Sequence, residues 1–349
     1  MAVTDEVLQI LAASRGAIGE LADQQVIALV GAWVDSWDSL ATEMRDALNE
    51  LMAAADDGRV TAWQVSRAQR LQAALAAAEA EAERLRQYAA DNIAADVLTA
   101  VQYGAGAARD LTTAQLPPEA SRYPVWAPLN EDALTAIVAR TTQQIHASSI
   151  PLSTAMVAGM RAELSNGIST GDNPNTVARK IMRRLEHHFN GGLSRATRIA
   201  RTELLDAMRT AHLEADKNNR HIVTGWIWYA TLDSRVCTSC LGMHGTFHDV
   251  DEFGPADHQN GRCARLPKTK SWAELGFTGI EDEDPDYQGE RDDWFSNLTD
   301  DTQRDIMGPA RLELFNAGQV GWDDFTTRKE NPDWRPAHYE TPVKNLTAR

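Results

Sequence analysis

Cysteine is the scarcest chemistry in this chain, with 3 thiols among 349 residues. An odd and small thiol count leaves no disulfide framework, so the cores must come from apolar packing. Basic charge is also in deficit, at 34 Lys and Arg against 50 Asp and Glu. The resulting net charge of -16 argues against nucleic acid being drawn to the whole surface, although a local basic face remains open. Long hydrophobic runs are missing as well. No uncharged apolar stretch approaches the ~18 residues of a membrane helix. The opening residues (MAVTDEVLQILAAS) lack the basic, apolar, small order of a leader. The expectation is a chain that meets no membrane and is soluble and intracellular during its synthesis. There is no phosphate loop, GxSxG elbow or Rossmann glycine pattern. Ser153, Ser165 and Ser194 stand alongside histidines, but no spacing makes any of them a nucleophile.

What is present predicts a mainly α fold of two or three structural units, its cores drawn from a hydrophobic content of 43%. Residues 1–113 read as a helical arm. One apolar stripe runs Val26, Val30, Trp33, Trp37, Leu40, Met44, Leu48, Leu51. After a break at Asp56-Asp57-Gly58, a second runs Leu71, Leu75, Ala78, Ala82, Leu85, Ala89, Ile93, Val97. Steps of three and four define helix faces, and the two stripes predict a long antiparallel hairpin. It reads either as an ordinary helical core or as an arm that docks on a large partner. Gly104-Ala105-Gly106 loosens the pattern. Residues 114–129, with Pro117, Pro118, Pro124 and Pro128, read as an extended linker.

Residues 130–220 read as a helical domain, with turns at Asn166-Gly167 and Ser169–Pro174. Asn175 or Thr176 is its candidate cap, Gly191-Gly192 a helix end, and Ser194 the opening of another helix. Residues 221–275 change texture: Val223–Thr231 is β-branched and aromatic, a strand feeding a small α+β knuckle with short hairpins. Residues 276–349 read as an acidic loop over 279–293, a short helix-turn-helix unit closed at Gly318, and a terminal tail or strap.

All three thiols fall in the knuckle, as Cys237-Thr238-Ser239-Cys240 and Cys263, with His258 five residues before the last. Two cysteines flanking two residues turn both sulfurs toward one ion, and a distant His and Cys complete a tetrahedron. Cys237, Cys240, His258 and Cys263 are therefore candidate ligands of a structural zinc ion. The alternatives are an empty knuckle of the same fold, or redox thiols. His244 and His248 flank the hairpin as substitute ligands or as plain loop histidines.

A second constellation is Ile199-Ala200-Arg201-Thr202-Glu203. Arg201 and Glu203, two apart on a helix, face different neighbours, for which Asp233 and Arg235 beside the knuckle are candidates. A buried Arg–carboxylate clamp is the structural reading, and an active-site pair the alternative. Arg179, Lys180, Arg183 and Arg184, joined by His187, His188, Arg195 and Arg198, make one basic helix stretch. It reads as a solvated face or as a sequence-independent contact with double-stranded DNA.

Together, Ala200-Arg201-Thr202-Glu203, Trp226 and Trp228, Asp233-Ser234-Arg235-Val236-Cys237-Thr238-Ser239-Cys240, Leu241–Gly245, His258 and Cys263–Pro267 resemble the Mu F-like phage head-morphogenesis family. These are minor capsid proteins of tailed bacteriophages. The later Trp294-Phe295, Gln303, Ile306-Met307-Gly308, Arg311-Leu312 and Gly318 are similar to a C-terminal block of many members, so the resemblance covers roughly residues 155–320. One departure stands out: the family often ends its site as HxxCxC, and Gly261 replaces the first of those cysteines. The resemblance implies a structural virion component in the capsid interior or at the portal vertex, present in several copies and assembled in the host cytoplasm. Its implied partners are portal, major capsid and scaffold proteins, in head assembly, DNA packaging or ejection. The alternative it implies is a capsid maturation protease.

Overall fold

The computed structural model describes residues 4–53, 62–122, 126–148, 162, 174–280, 285–330 and 335–347. The fold is mainly helical, with small antiparallel sheets around the Cys/His cluster. Among the described residues, no helix is long and apolar enough to cross a membrane. The elements are α1 (Asp5–Ala53), α2 (Ala62–Arg67), α3 (Gln69–Ala95), α4 (Val97–Thr113), α5 (Glu131–Ser148) and α6 (Pro174–Asn218). Then follow β1 (Val223–Tyr229), α7 (Thr238–Met243), β2 (Phe247–Asp249) and β3 (Ala264–Thr269). Last come α8 (Tyr287–Ser296), α9 (Asp300–Met307), α10 (Pro309–Asn316), β4 (Thr326–Lys329), β5 (Ala337–Glu340) and α11 (Val343–Leu346). Two compact units divide these elements, each discontinuous in sequence: Met1–Glu20 with Val97–Thr141 and Thr202–Arg349, and Leu21–Asp96 with Thr142–Arg201.

The second unit contains the expected hairpin. Gln25 donates to the carbonyl of Asn92 and to the Asp96 carboxylate, Arg84 donates to Ser36, and Arg70 pairs with Asp46 and Glu50. Rising numbers on α1 thus meet falling numbers on α3, which is antiparallel pairing. The α3 stripe from Leu71 to Ile93 is buried throughout. On α1 Trp33, Leu40, Met44, Leu48 and Leu51 of the stripe are buried, Trp37 is half-buried, and Val30 is exposed. Between residues 22 and 36 the buried face is instead Ala22, Gln25, Leu29, Trp33 and Ser36. Gln25 and Ser36 are polar yet buried because α3 supplies their hydrogen-bond partners, and hydropathy alone assigns such residues to the outside. The break at Asp56–Gly58 lies outside the described residues.

The first unit is built on a three-stranded antiparallel sheet of order β2-β1-β3. Both faces of β1 are covered, so its run of Trp, Ile, Trp and Tyr needs no alternation with polar residues. Ile227, Tyr229 and Leu266 pack on Val7, Leu11, Ala107 and Leu111 from α1 and α4. Trp226 and Trp228 face the other way, into a core with Leu241, Phe295, Ile306, Met307 and Phe325. Arg265 on β3 is fully enclosed, donating to Asp216 at 2.7 Å with its guanidinium 4.7 Å over the Trp226 ring.

Several local expectations are corrected here. Gly104 does not loosen α4, which runs unbroken from Val97 to Thr113. It lets α4 and α6 touch: a Cβ at Gly104 would lie 3.0 Å from the Met208 Cα and closer still to its carbonyl. Gly104→Ala should therefore cost about 1–3 kcal/mol, like other overpacked sites. Gly106→Ala, with nothing within 4 Å, should instead gain about 0.5–1 kcal/mol from helix propensity. Urea denaturation of the two variants checks this opposition of sign.

Helix α6 likewise continues through Gly191-Gly192 to Asn218, because a glycine's propensity cost of about 1 kcal/mol does not break a long helix. The proline-rich stretch is not simply extended. Pro118–Arg122 forms a 3-10 turn, Gln115 is buried and donates to the Pro267 carbonyl, and Ala127 donates to the Asn219 side chain. The turns at 166–174 fall outside the described residues before Pro174, which is the first residue of α6. The acidic loop ends earlier than expected, since Asp286 accepts from Gly289 and caps α8. Gly318 has φ 65°, as suits the end of α10. The terminal segment is an antiparallel hairpin, β4 with β5.

Candidate metal centre

Cys237 sits at the N-cap of α7 with extended backbone, and its sulfur accepts the N–H of Cys240 at 3.4 Å. That turn points both sulfurs to one side. His258 arrives from the loop between β2 and β3, with Nε2 3.2 Å from the Cys237 sulfur and 3.8 Å from the Cys240 sulfur. These three donor atoms all lie within 4.8 Å of one another. Bond lengths of about 2.3 Å to sulfur and 2.0 Å to nitrogen place tetrahedral S and N ligands about 3.5 Å apart, so the observed separations suit one small ion. His258 Nδ1 donates to the Gln259 carbonyl at 2.9 Å, which fixes the ring and leaves Nε2 for the ion.

The contact between Cys237 and His258 shifts both groups. Hydrogen bonding from Cys240, then from His258, brings the Cys237 thiol down to about 5 against the opposing effect of burial. The bond to Cys237 raises His258 to about 9. Cys240 is pushed up by its bonds to Cys237 and Cys263 and by burial. Cys263 is buried and in hydrogen-bonding reach of Cys240, but it is not one of the close trio. The start of β3 fixes its backbone: its N–H donates to Asp257 at 3.3 Å and its carbonyl accepts from Arg209 at 3.0 Å.

Behind the cluster lies a buried charge network that sequence spacing does not reveal. Arg209 on α6 grips both oxygens of Asp257 at 2.8 Å and also donates to Asp206 at 3.2 Å. Burial alone would lower its pKa, but Asp257 and Asp206 outweigh it and hold the guanidinium charged. Arg335 donates to Asp206 at 2.6 and 2.9 Å and to the Asp257 carbonyl at 3.0 Å. Asp257 immediately precedes His258, so the clamp holds the histidine's loop against α6. The one sequence signal for it is charge at i, i+3 on α6, Asp206 and Arg209, on a helix otherwise burying Leu204, Ala207 and Ala211.

The other marked residues have separate roles. Arg201 is exposed and pairs with Asp23 at 2.5 Å. Glu203 is buried. Asp233 is held by Arg262 at 2.5 and 2.7 Å and caps the Arg235 N–H at 2.9 Å, while Arg235 itself is exposed. An Arg–carboxylate clamp does tie helix to knuckle, but its members are Arg209 and Asp257. Lys180 and Arg183 are exposed on α6, whereas the side chains of Arg179 and Arg184 are outside the described set.

His244 accepts the Ala230 N–H at 3.1 Å, and His248 stacks on Trp226 with ring centres 4.2 Å apart, so both are built into the core edge. Thr246, His248 and Glu252 line up at 2.9 and 3.1 Å, but the Thr246 hydroxyl donates to the Met243 carbonyl at 2.7 Å. The proton a base would remove is already committed.

Burial, reinforced by Asp206 and opposed by Arg335, raises Glu203 to about 7 from an ordinary 4.5. Between those values the folded chain binds the proton that the unfolded chain has released. The associated stability is therefore complete below about pH 4.5 and lost as pH rises through about 7, on the order of 3 kcal/mol at most. Denaturation midpoints at pH 5 and pH 8 should show this loss in the parent and a flatter response in Glu203→Gln.

The class thus defined is a helical protein with a small antiparallel sheet whose Cys/His knuckle is clamped to a long helix. Residues 158–266 match the family described as Phage Mu protein F like protein. No curated protein and no solved structure matches the chain.

Proposed function

We propose that this chain is a minor head-morphogenesis component of a tailed bacteriophage, bound to the portal or the inner capsid wall beside the major capsid and scaffold proteins. The observation that carries this reading is the Mu F-like segment, 158–266, which contains the α6 clamp and the whole Cys/His cluster. The ion that suits the cluster is zinc, held by Cys237, Cys240 and His258, with Cys263 next to Cys240 as the remaining candidate ligand. When bound, zinc would supply a structural cross-link between α7 and the His258 loop. A buried Cys240 beside a half-buried Cys237, backed by a buried clamp, suits such a tie better than it suits hydrolysis.

Purified mature particles should contain the protein, in several copies set by a ring-symmetric partner. Its absence from particles, or cleavage of co-expressed scaffold or capsid protein that depends on one of its Ser, His or Asp residues, would overturn the structural reading. Elemental analysis should find zinc in the parent and not in Cys240→Ser. For Arg179, Lys180, Arg183 and Arg184 we assign a sequence-independent DNA contact. Its affinity should fall steeply between about 50 and 200 mM salt, and a flat response would refute it.

A further inference from the structure

We propose that the C-terminal hairpin, β4 with β5, is a latch that sets the geometry of the metal centre, with Glu340 and Arg335 as positioning residues. This rests on the zinc reading above. Both residues lie beyond the family-matched segment, which ends at 266. Thr238 and Ser239, the two residues between the ligand cysteines, are both buried, and the hairpin holds each of them. The N–H and hydroxyl of Thr238 donate to one oxygen of Glu340, at 3.1 and 2.9 Å. Arg311 steadies that carboxylate's other oxygen at 3.4 Å. Ser239 shares a hydrogen bond with Thr326 at 2.9 Å, and Thr326 in turn meets His338 Nδ1 at 3.1 Å.

The same hairpin grips the other half of the ligand set. The backbone N–H of His338 donates to the Ala256 carbonyl at 2.8 Å, and Arg335 donates to the Asp257 carbonyl at 3.0 Å, the two residues before His258. One element therefore bridges the Cys237–Cys240 turn and the His258 loop from outside the ion's position. Outer partners of this kind orient ligands, and their removal characteristically weakens metal binding by about 10–100-fold. The coupling is reciprocal: an ion that favours the latched knuckle also holds the hairpin down.

The test uses the full chain and zinc. Chelator competition should show about 10–100-fold weaker zinc binding for Glu340→Ala, with most of the affinity restored in Glu340→Gln, which keeps an acceptor oxygen. Cobalt substituted for zinc should show a changed visible spectrum in Glu340→Ala and a parent-like one in Glu340→Gln. Zinc should also slow proteolysis within the hairpin. Arg335→Ala tests the second grip if circular dichroism shows it folded, and the Glu340 pair decides the matter if it is not. Zinc affinity and cobalt spectrum unchanged in Glu340→Ala would overturn the latch while leaving the metal reading intact. If the parent binds no zinc, the metal reading fails by itself. Alkylation of Cys237 then decides the latch: a faster rate in Glu340→Ala supports it, and an equal rate overturns it.

Discussion

Arg209→Ala should destabilise the unit that carries the knuckle by about 3–5 kcal/mol, the characteristic loss when one partner of a buried ion pair is removed. Arg209 is 5% exposed and Asp257 wholly enclosed, so no water replaces the missing guanidinium. Two oxygens of Asp257 and the carbonyls of Gly261 and Cys263 each lose a donor together. Arg209→Lys should keep most of this deficit, because a point charge cannot serve both carboxylate oxygens and two carbonyls. Joint replacement as Arg209→Met with Asp257→Leu should cost less than either single change, since it leaves no uncompensated buried charge. Denaturant midpoints of the three variants, measured with and without zinc, check the order. A loss under about 1 kcal/mol for Arg209→Ala, typical of exposed pairs, would show that the clamp is not desolvated as described.

Gly261→Cys is expected to be almost as damaging, by about 3–5 kcal/mol, even though it writes back the cysteine of the resembled HxxCxC pattern. A Cβ at 261 would fall 2.6 Å from Asp257 Oδ1 and nearer to the rest of that carboxylate. Asp257 cannot move aside cheaply, because Arg209 holds both its oxygens and Cys263 N–H donates to one of them. The new side chain gains room only by opening the clamp. Gly261→Ala should show the same loss, which separates the steric cause from thiol chemistry. Paired with Asp257→Gly, the Gly261→Cys change should be less harmful than alone. The missing cysteine and the buried aspartate are thus two sides of one packing choice. Thermal denaturation of the single and paired variants measures it, and additive losses would refute the coupling.

Much of the fold was legible in the chain. The α3 stripe, from Leu71 through Ile93, is buried as its three- and four-residue steps predict, since a helix's period places such residues on one side whatever the partner. Val223–Tyr229 is a strand because its β-branched and aromatic residues fit a sheet covered on both faces. The α1 face between Ala22 and Ser36 was not legible. Gln25 and Ser36 are inside only because α3 offers them partners, and no hydropathy pattern encodes that. Gly104 and Gly191 illustrate the same gap: the first marks a helix crossing and the second lies within one uninterrupted helix.

At the site, the sequence by itself determined the donor chemistry. Three thiols and His258, placed at CxxC and HxxxxC spacing, bring sulfur and imidazole to one knuckle. Local turn geometry then converges Cys237 and Cys240, because an N-cap and the residue three positions on share one turn of helix. Only the tertiary structure decided that His258 joins them as the third donor, that Cys263 stands beside Cys240, and that Arg209, Asp257, Arg335 and Glu340 surround them. Spacing along a chain fixes what neighbouring residues can reach. Pairings across 48 residues between Arg209 and Asp257, or 102 between Thr238 and Glu340, arise only when folding brings distant segments together and burial makes each unpaired charge costly.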